Sequence, residues 1–264
     1  MANKKYEEAD IQAIATTIRE KTGTDKLYNT REMASGVSEV YEAGIKSFWD
    51  TYLELMRNGF EVPYLFSGAS WNSKTFYPTE DIVPKKASHY LFQNFSWWTA
   101  PYIDLAQRLE ECRVVLDTSQ CTGFALSFAN CFVTRLPKID VRSATSLDRT
   151  FQGDRVLETI DELALKDDGT NTFSNTFQTD ISLSNIKISG VIGRSVSFAD
   201  CPLTVESMKS IITHLKDYSG TTSELTYSLT LSSASKLALE AEGATSPNGN
   251  LWSEYVDDLG WTLR

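Results

Sequence analysis

One sentence of apolar and polar residues is written several times between Val114 and Ala199, and it constrains the fold more than any other feature. Val115-Leu116-Asp117-Thr118-Ser119 returns as Lys138-Ile139-Asp140-Val141-Arg142-Ser143, as Leu163-Ala164-Leu165-Lys166 and as Ile186-Lys187-Ile188-Ser189. The lead apolar residue steps by 23 residues from Leu116 to Ile139, by 24 to Leu163 and by 23 to Ile186. Each copy is followed by a Ser/Thr-Phe pair: Ser127-Phe128, Thr150-Phe151, Thr176-Phe177 and Ser197-Phe198. A unit this short cannot bury its own apolar face, so a fixed period of this kind predicts stacked units, an α/β solenoid.

Alternation assigns the faces. Leu116, Thr118, Ile139, Val141, Leu163, Leu165, Ile186 and Ile188 are expected to point inward, with the repeat Phe filling the wide side of each coil. Asp117, Asp140, Ala164 and Lys187 then form one outward ladder, and Ser119, Arg142, Lys166 and Ser189 the next. Sheet neighbours lie about 4.8 Å apart. Asp117 and Asp140 are therefore predicted to be adjacent like charges, relieved by Arg142 or Lys187. Cys131 and Cys201 each stand three residues after a repeat Phe, where Asp154 and Asp180 stand in the other copies. A slot filled by Cys or Asp reads as a structural turn position, not a redox pair. With no C-x-x-C spacing among Cys112, Cys121, Cys131 and Cys201, a zinc site is weakly supported and reduced thiols are expected.

The flanks differ. Ile11, Ile14, Ala15 and Ile18 make one apolar stripe on a first helix over 6–21. Val37, Tyr41, Ile45, Phe48, Tyr52 and Leu55 continue as a near-heptad seam on a second. That seam either packs on the first coil or self-associates, so residues 6–58 are a candidate homo-oligomer contact. Residues 62–94 read as irregular early copies, and the long interval from Phe92 to Phe128 predicts a helical insertion within 101–113. After Ala199 a helix over 202–216 capped by Thr204, a strand to Leu231, two short helices and a last strand at Trp261–Leu263 read as a cap with its own small core. The expected division is thus 1–59 as an N-terminal helical attachment or oligomerisation segment, 60–201 as the repeat solenoid and 202–264 as an α+β C-terminal cap.

Charge removes some function classes. The net charge of −10 argues against a nucleic-acid binder, which needs a basic footprint. No apolar run approaches the length of a membrane span, and the first residues lack a signal-peptide core, which predicts synthesis in a cytosol without export by that route.

Phe151-Gln152-Gly153-Asp154-Arg155-Val156-Leu157-Glu158-Thr159-Ile160 and Phe177-Gln178-Thr179-Asp180-Ile181-Ser182-Leu183-Ser184-Asn185-Ile186 resemble the BspA-like class of leucine-rich repeat, F-x-x-C-x-x-L-x-x-I. Phe128-Ala129-Asn130-Cys131 carries the Cys form, with Leu136 and Ile139 slipped later. The resemblance covers roughly 62–201 and implies a leucine-rich-repeat-like right-handed coil. The segment Ile14-Ala15-Thr16-Thr17-Ile18-Arg19-Glu20-Lys21-Thr22-Gly23, with Phe48-Trp49-Asp50 and Gly260-Trp261-Thr262-Leu263, is similar to virion proteins of Firmicutes phages and prophages, encoded among tail and baseplate genes. That likeness implies a tail protein with a structural or host-recognition role. Its partners would be other virion subunits and a host cell-surface glycan or protein.

No nucleophile elbow, P-loop or zinc-protease motif occurs, and the two histidines, His89 and His214, have no catalytic company in sequence. The acid pairs Asp117/Asp140 and Asp167/Asp168 have the chemistry of a glycosidase or a calcium site but read first as solvated charge. No catalytic residue, metal or cofactor is expected. The candidate binding residues are the aromatic Trp71, Trp97 and Trp98 of the irregular copies and the outward Asp117, Asp140, Arg142, Lys166 and Lys187. Two other readings stay open: an intracellular interaction module that binds a host factor, and a cell-wall hydrolase.

Overall fold

A computed structural model describes residues 81–85, 102–221 and 226–264, together with Thr16, Arg19, Glu20, Glu54 and Asn58. The N-terminal seam, Trp71, Trp97, Trp98 and His89 lie outside the described residues, as does the candidate homo-oligomer contact over 6–58 apart from those five isolated positions.

The repeats lay down parallel strands in sequence order. Strand β1 (Ile103–Asp104) pairs with β2 (Val133–Asp140), β2 with β3 (Thr159–Ala164), and β3 with β4 (Asn185–Ser189). Helix α1 (Leu105–Cys112) is the expected insertion. Asp104 caps it by accepting a hydrogen bond from the Gln107 N–H at 2.8 Å, and Leu105 and Leu109 anchor it in the core. The copy at 115–119 forms no full strand. It touches the earlier chain through one bridge, Ile82 beside Leu116.

A column of four phenylalanines runs through the core. Phe128, Phe151, Phe177 and Phe198 stack face on face, with ring centroids 5.7, 5.5 and 4.4 Å apart. All four are fully buried. The residue before the ring also has a task. The hydroxyls of Thr150 and Thr176 donate to the carbonyls of Phe124 and Leu147 in the preceding repeat, at 3.0 and 2.8 Å. Each of these carbonyls also accepts a backbone N–H, from Ser127 and Thr150, so the hydroxyl fills its second lone pair and ties one repeat to the next.

The inward pattern departs from simple alternation, and the register follows. In β2 the buried residues are Val133, Leu136, Ile139 and Asp140; in β3 they are Ile160, Leu163 and Ala164. Two residues turn outward in succession between them, Pro137-Lys138 and Asp161-Glu162. Leu136 therefore pairs with Ile160 and Ile139 with Leu163. Strand β4 carries only Lys187 between Ile186 and Ile188, so the register slips: Ile160 lies beside Ile186, and Leu163 beside Ile188. The expected step from Leu163 to Ile186 is corrected to Leu163 to Ile188. The irregularity falls at Asp161-Glu162 of β3, two residues set against the single Lys187 of β4. Gly190 then ends β4 with φ at 80°; a Cβ there would fall 2.1 Å from the Leu165 carbonyl oxygen, so no other residue fits without backbone movement.

Residues 202–264 continue the stack. Helix α2 (Val205–Ile212) is capped by Thr204, which accepts from the Ser207 N–H, as expected; it stops short of Lys216. It packs along the open edge of β4. There the Ser207 hydroxyl accepts the Ile186 N–H at 3.0 Å and the Ser210 hydroxyl accepts the Ile188 N–H at 2.9 Å. Two serines three apart on one helix face thus replace the strand that would otherwise pair with β4. Ser207→Ala and Ser210→Ala are each expected to cost about 1–2 kcal/mol, because a buried N–H loses its acceptor. Urea unfolding measures it, with Thr substitutions retaining the hydroxyl as controls. Strand β5 (Val196–Phe198) pairs in parallel with β6 (Tyr227–Leu231), and β6 with β7 (Trp261–Leu263). Helices α3 (Ser233–Glu240) and α4 (Trp252–Asp258) cover this second sheet. Its buried residues, Leu229, Leu239, Trp252 and Trp261 among them, belong to one core with the repeats; the separate small core expected of 202–264 is corrected.

Candidate functional site

The outward face of the four-stranded sheet gathers the charged side chains of successive repeats. Arg135 on β2 reaches Asp161 on β3 through two bonds, Nε to Oδ1 at 2.7 Å and a terminal nitrogen to Oδ2 at 3.0 Å. Lys138, directly opposite Glu162, bonds its Oε1 at 2.9 Å, and Ser189 donates to the same oxygen at 2.6 Å. The Ser189 and Lys138 bonds hold the Glu162 carboxyl below its ordinary pKa. These rows are self-neutralised. Each pair is half exposed and contributes about 0–1 kcal/mol, so they define a surface more than they stabilise a fold.

Next to them the face opens into a groove of about 390 Å³ where β3, β4 and α2 meet. Its walls carry Thr159, Asp161, Asn185, Lys187, Glu206 and Ser210. Lys187 is exposed and makes no ion pair among the described residues, in contrast to Arg135 and Lys138 on the same face. Of the sequence-derived candidates among the described residues it is the one that lines the groove.

The other candidates are disposed differently. Asp140 was expected in the outward ladder but is buried at 6% exposure, and Ala164 at 2%. Asp140 accepts from both the backbone N–H and the guanidinium of Arg142. Burial pushes its carboxyl up, and the Arg142 bonds outweigh that and hold it low. Asp140 is thus the anchor of the turn after β2, with Arg142 folded back on it as a lid. The predicted Asp117–Asp140 adjacency is also corrected: the Asp140 N–H donates to Thr118 Oγ1 at 2.8 Å, so Thr118 stands opposite it. Asp117 instead accepts the Ser119 N–H at 3.0 Å, a local turn contact. Ser189 sits on the rung of Asp140 and Ala164, not on that of Lys166, as the register slip requires. Lys166 is half-buried, its N–H bonded to Asn171 Oδ1 at 2.8 Å.

Asp168 turns its carboxylate to Thr170, bonding the hydroxyl at 2.7 Å and the N–H at 2.9 Å, so the Asp167/Asp168 pair is not a joint cation cradle. Among the described residues no group of three His, Cys, Asp or Glu side chains is placed to hold a metal ion. His214 Nδ1 lies 2.6 Å from the Ser210 carbonyl oxygen at the end of α2. Sequence reasoning missed Arg135, Lys138, Asp161, Glu162, Asn185 and Glu206. The signal was present for four of them: the doubled outward positions carry opposite charges 24 residues apart at Lys138 and Glu162, and 26 apart at Arg135 and Asp161. Compared with family models, curated proteins and solved structures, the chain matches none.

Proposed function

We propose that this chain is a leucine-rich-repeat-like solenoid acting as a non-enzymatic binding component of a phage tail or baseplate, with the outward sheet face as its recognition surface. The observation that carries the reading is the contrast on that face: rows of paired charges beside an open groove in which Lys187 makes no ion pair among the described residues. Paired rows present shape and hydrogen-bonding capacity without a strong field, and an unpaired cation in a polar groove is available to a partner's acid or hydroxyl groups. The tail assignment rests on the resemblance of the N-terminal segment and the closing Gly260-Trp261-Thr262-Leu263 to virion proteins. The partner is a neighbouring virion subunit or the host surface.

Mass spectrometry of purified particles from the encoding phage is expected to find the chain at stoichiometric level. Its retention in infected cells and absence from particles would overturn the tail reading in favour of an intracellular module. Lys187→Glu is expected to weaken attachment of the purified chain to particles or host envelopes about tenfold, since a salt-sensitive contact becomes a repulsive one. Unchanged attachment would move the recognition surface elsewhere.

A further inference from the structure

The slot three residues after each repeat Phe forms a column of its own, Cys131, Asp154, Asp180 and Cys201, all at 0–1% exposure. The two acids in its middle join three repeats. Asp154 Oδ1 accepts the Cys131 N–H, and Asp180 Oδ1 accepts the Asp154 N–H at 3.1 Å. The second oxygen of each, Oδ2, is buried with no hydrogen-bond partner among the described residues. No cation reaches either carboxyl in any described ion pair. Among the described residues the titratable groups facing the column are the thiols at its ends and Asp200, whose Oδ2 accepts the Thr179 N–H at 2.8 Å. Asp200 adds negative charge and no compensation.

We propose that Asp154 and Asp180 form a proton-held clasp between successive repeats, which tightens the stack in acid and loosens it as protons leave. An ionised carboxylate with one oxygen buried away from bulk solvent and no cation among the described residues beside it is costly, and two of them on adjacent repeats repel. The neutral acid avoids both costs while keeping the Oδ1 bond that links the repeats. Burial raises both carboxyls strongly. For Asp154 the charge of Asp180 adds to the effect; Asp180 is pushed up to about 9.

The sign follows from linkage. A carboxyl that keeps its proton in the folded state but has a pKa of about 4 when unfolded adds stability that is full below that value. The contribution is lost as the pH rises through the folded value. Between pH 5 and 8 this loss stands alone among the described groups with displaced ionisation. Asp140, Glu162, Asp168 and Asp217 are held low and stay charged throughout the window, and Cys112, Cys201 and Tyr218 are held high and stay neutral.

The test is urea unfolding of the full chain at pH 5, 6, 7 and 8. The wild-type midpoint is expected to fall steadily across the series. Asp180→Asn keeps the acceptor for the Asp154 N–H, and its midpoint should vary with pH about half as much and lie above wild type at pH 8. Infrared spectroscopy of the wild type at pH 7 supplies a readout that needs no variant: a protonated-carboxyl carbonyl stretch, reduced to about half its intensity in Asp180→Asn, where Asp154 alone carries it. A midpoint flat from pH 5 to 8, or a spectrum at pH 7 with carboxylate bands alone, would overturn the clasp.

Discussion

Phe177→Ala is expected to lower the unfolding free energy by about 3–5 kcal/mol, the range for truncating a buried aromatic. The ring is 1% exposed and is held between Phe151 and Phe198, with centroids 5.5 and 4.4 Å away. Its loss removes the buried area and leaves a cavity that the two flanking rings cannot fill, because their own repeats hold them in place. It also removes two stacked aromatic contacts, each worth about 0.5–1.5 kcal/mol beyond area burial. For a chain of this size the melting temperature should fall on the order of 10 °C. Phe177→Leu, which keeps most of the volume, should recover at least half of the loss. A change below about 1 kcal/mol for the alanine variant would mean that the column is not the spine of the core.

Asn171→Ala should cost about 3 kcal/mol although it removes little apolar area. Asn171 is completely buried and serves two repeats at once. Its Oδ1 accepts the Lys166 N–H at 2.8 Å, and its Nδ2 donates to the carbonyls of Ala144 and Val141 at 2.9 and 3.3 Å. Val141 keeps the Ala144 N–H at 3.1 Å, so alanine strands two buried backbone groups, the Lys166 N–H and the Ala144 carbonyl. Each such group costs about 1–3 kcal/mol. Asn171→Asp discriminates the mechanism. It keeps the acceptor but sets a carboxylate against two carbonyl oxygens, so it should be at least as damaging at pH 7 and milder near pH 4. If alanine and aspartate are both neutral in chemical denaturation, the bridge contributes nothing.

The repeat was legible because its period and its Phe are written plainly, and because large apolar residues have one physical destination in water. The strand positions of Ile139, Leu163 and Ile188, the Phe column, the inserted helix α1 and the cap at Thr204 all follow from local residue type. The register did not. Whether one or two residues turn outward between buried positions is a property of paired strands, and it shows only where β3, with Asp161-Glu162 outward, meets β4, with Lys187 alone. Asp140 was assigned outward by strand alternation; its burial depends on Arg142 two residues away and on Thr118 in the previous repeat. The outward rows at Arg135, Lys138, Asp161 and Glu162 were passed over for the same reason, since only the doubled outward positions bring them together.

The sequence by itself determined the period, the aromatic spine and the polar or apolar identity of each slot, because these depend on what each residue loses or gains on leaving water. It also determined that a slot can hold either Cys or Asp. Tertiary structure alone decided that Asp154 and Asp180 follow one another in the buried column without a counter-charge among the described residues, and that Lys187 makes no ion pair among them while its neighbours are matched. The reason is common to both. A charge takes its meaning from what stands within a few ångströms of it, and in a stack of repeats those neighbours come from residues more than twenty positions away.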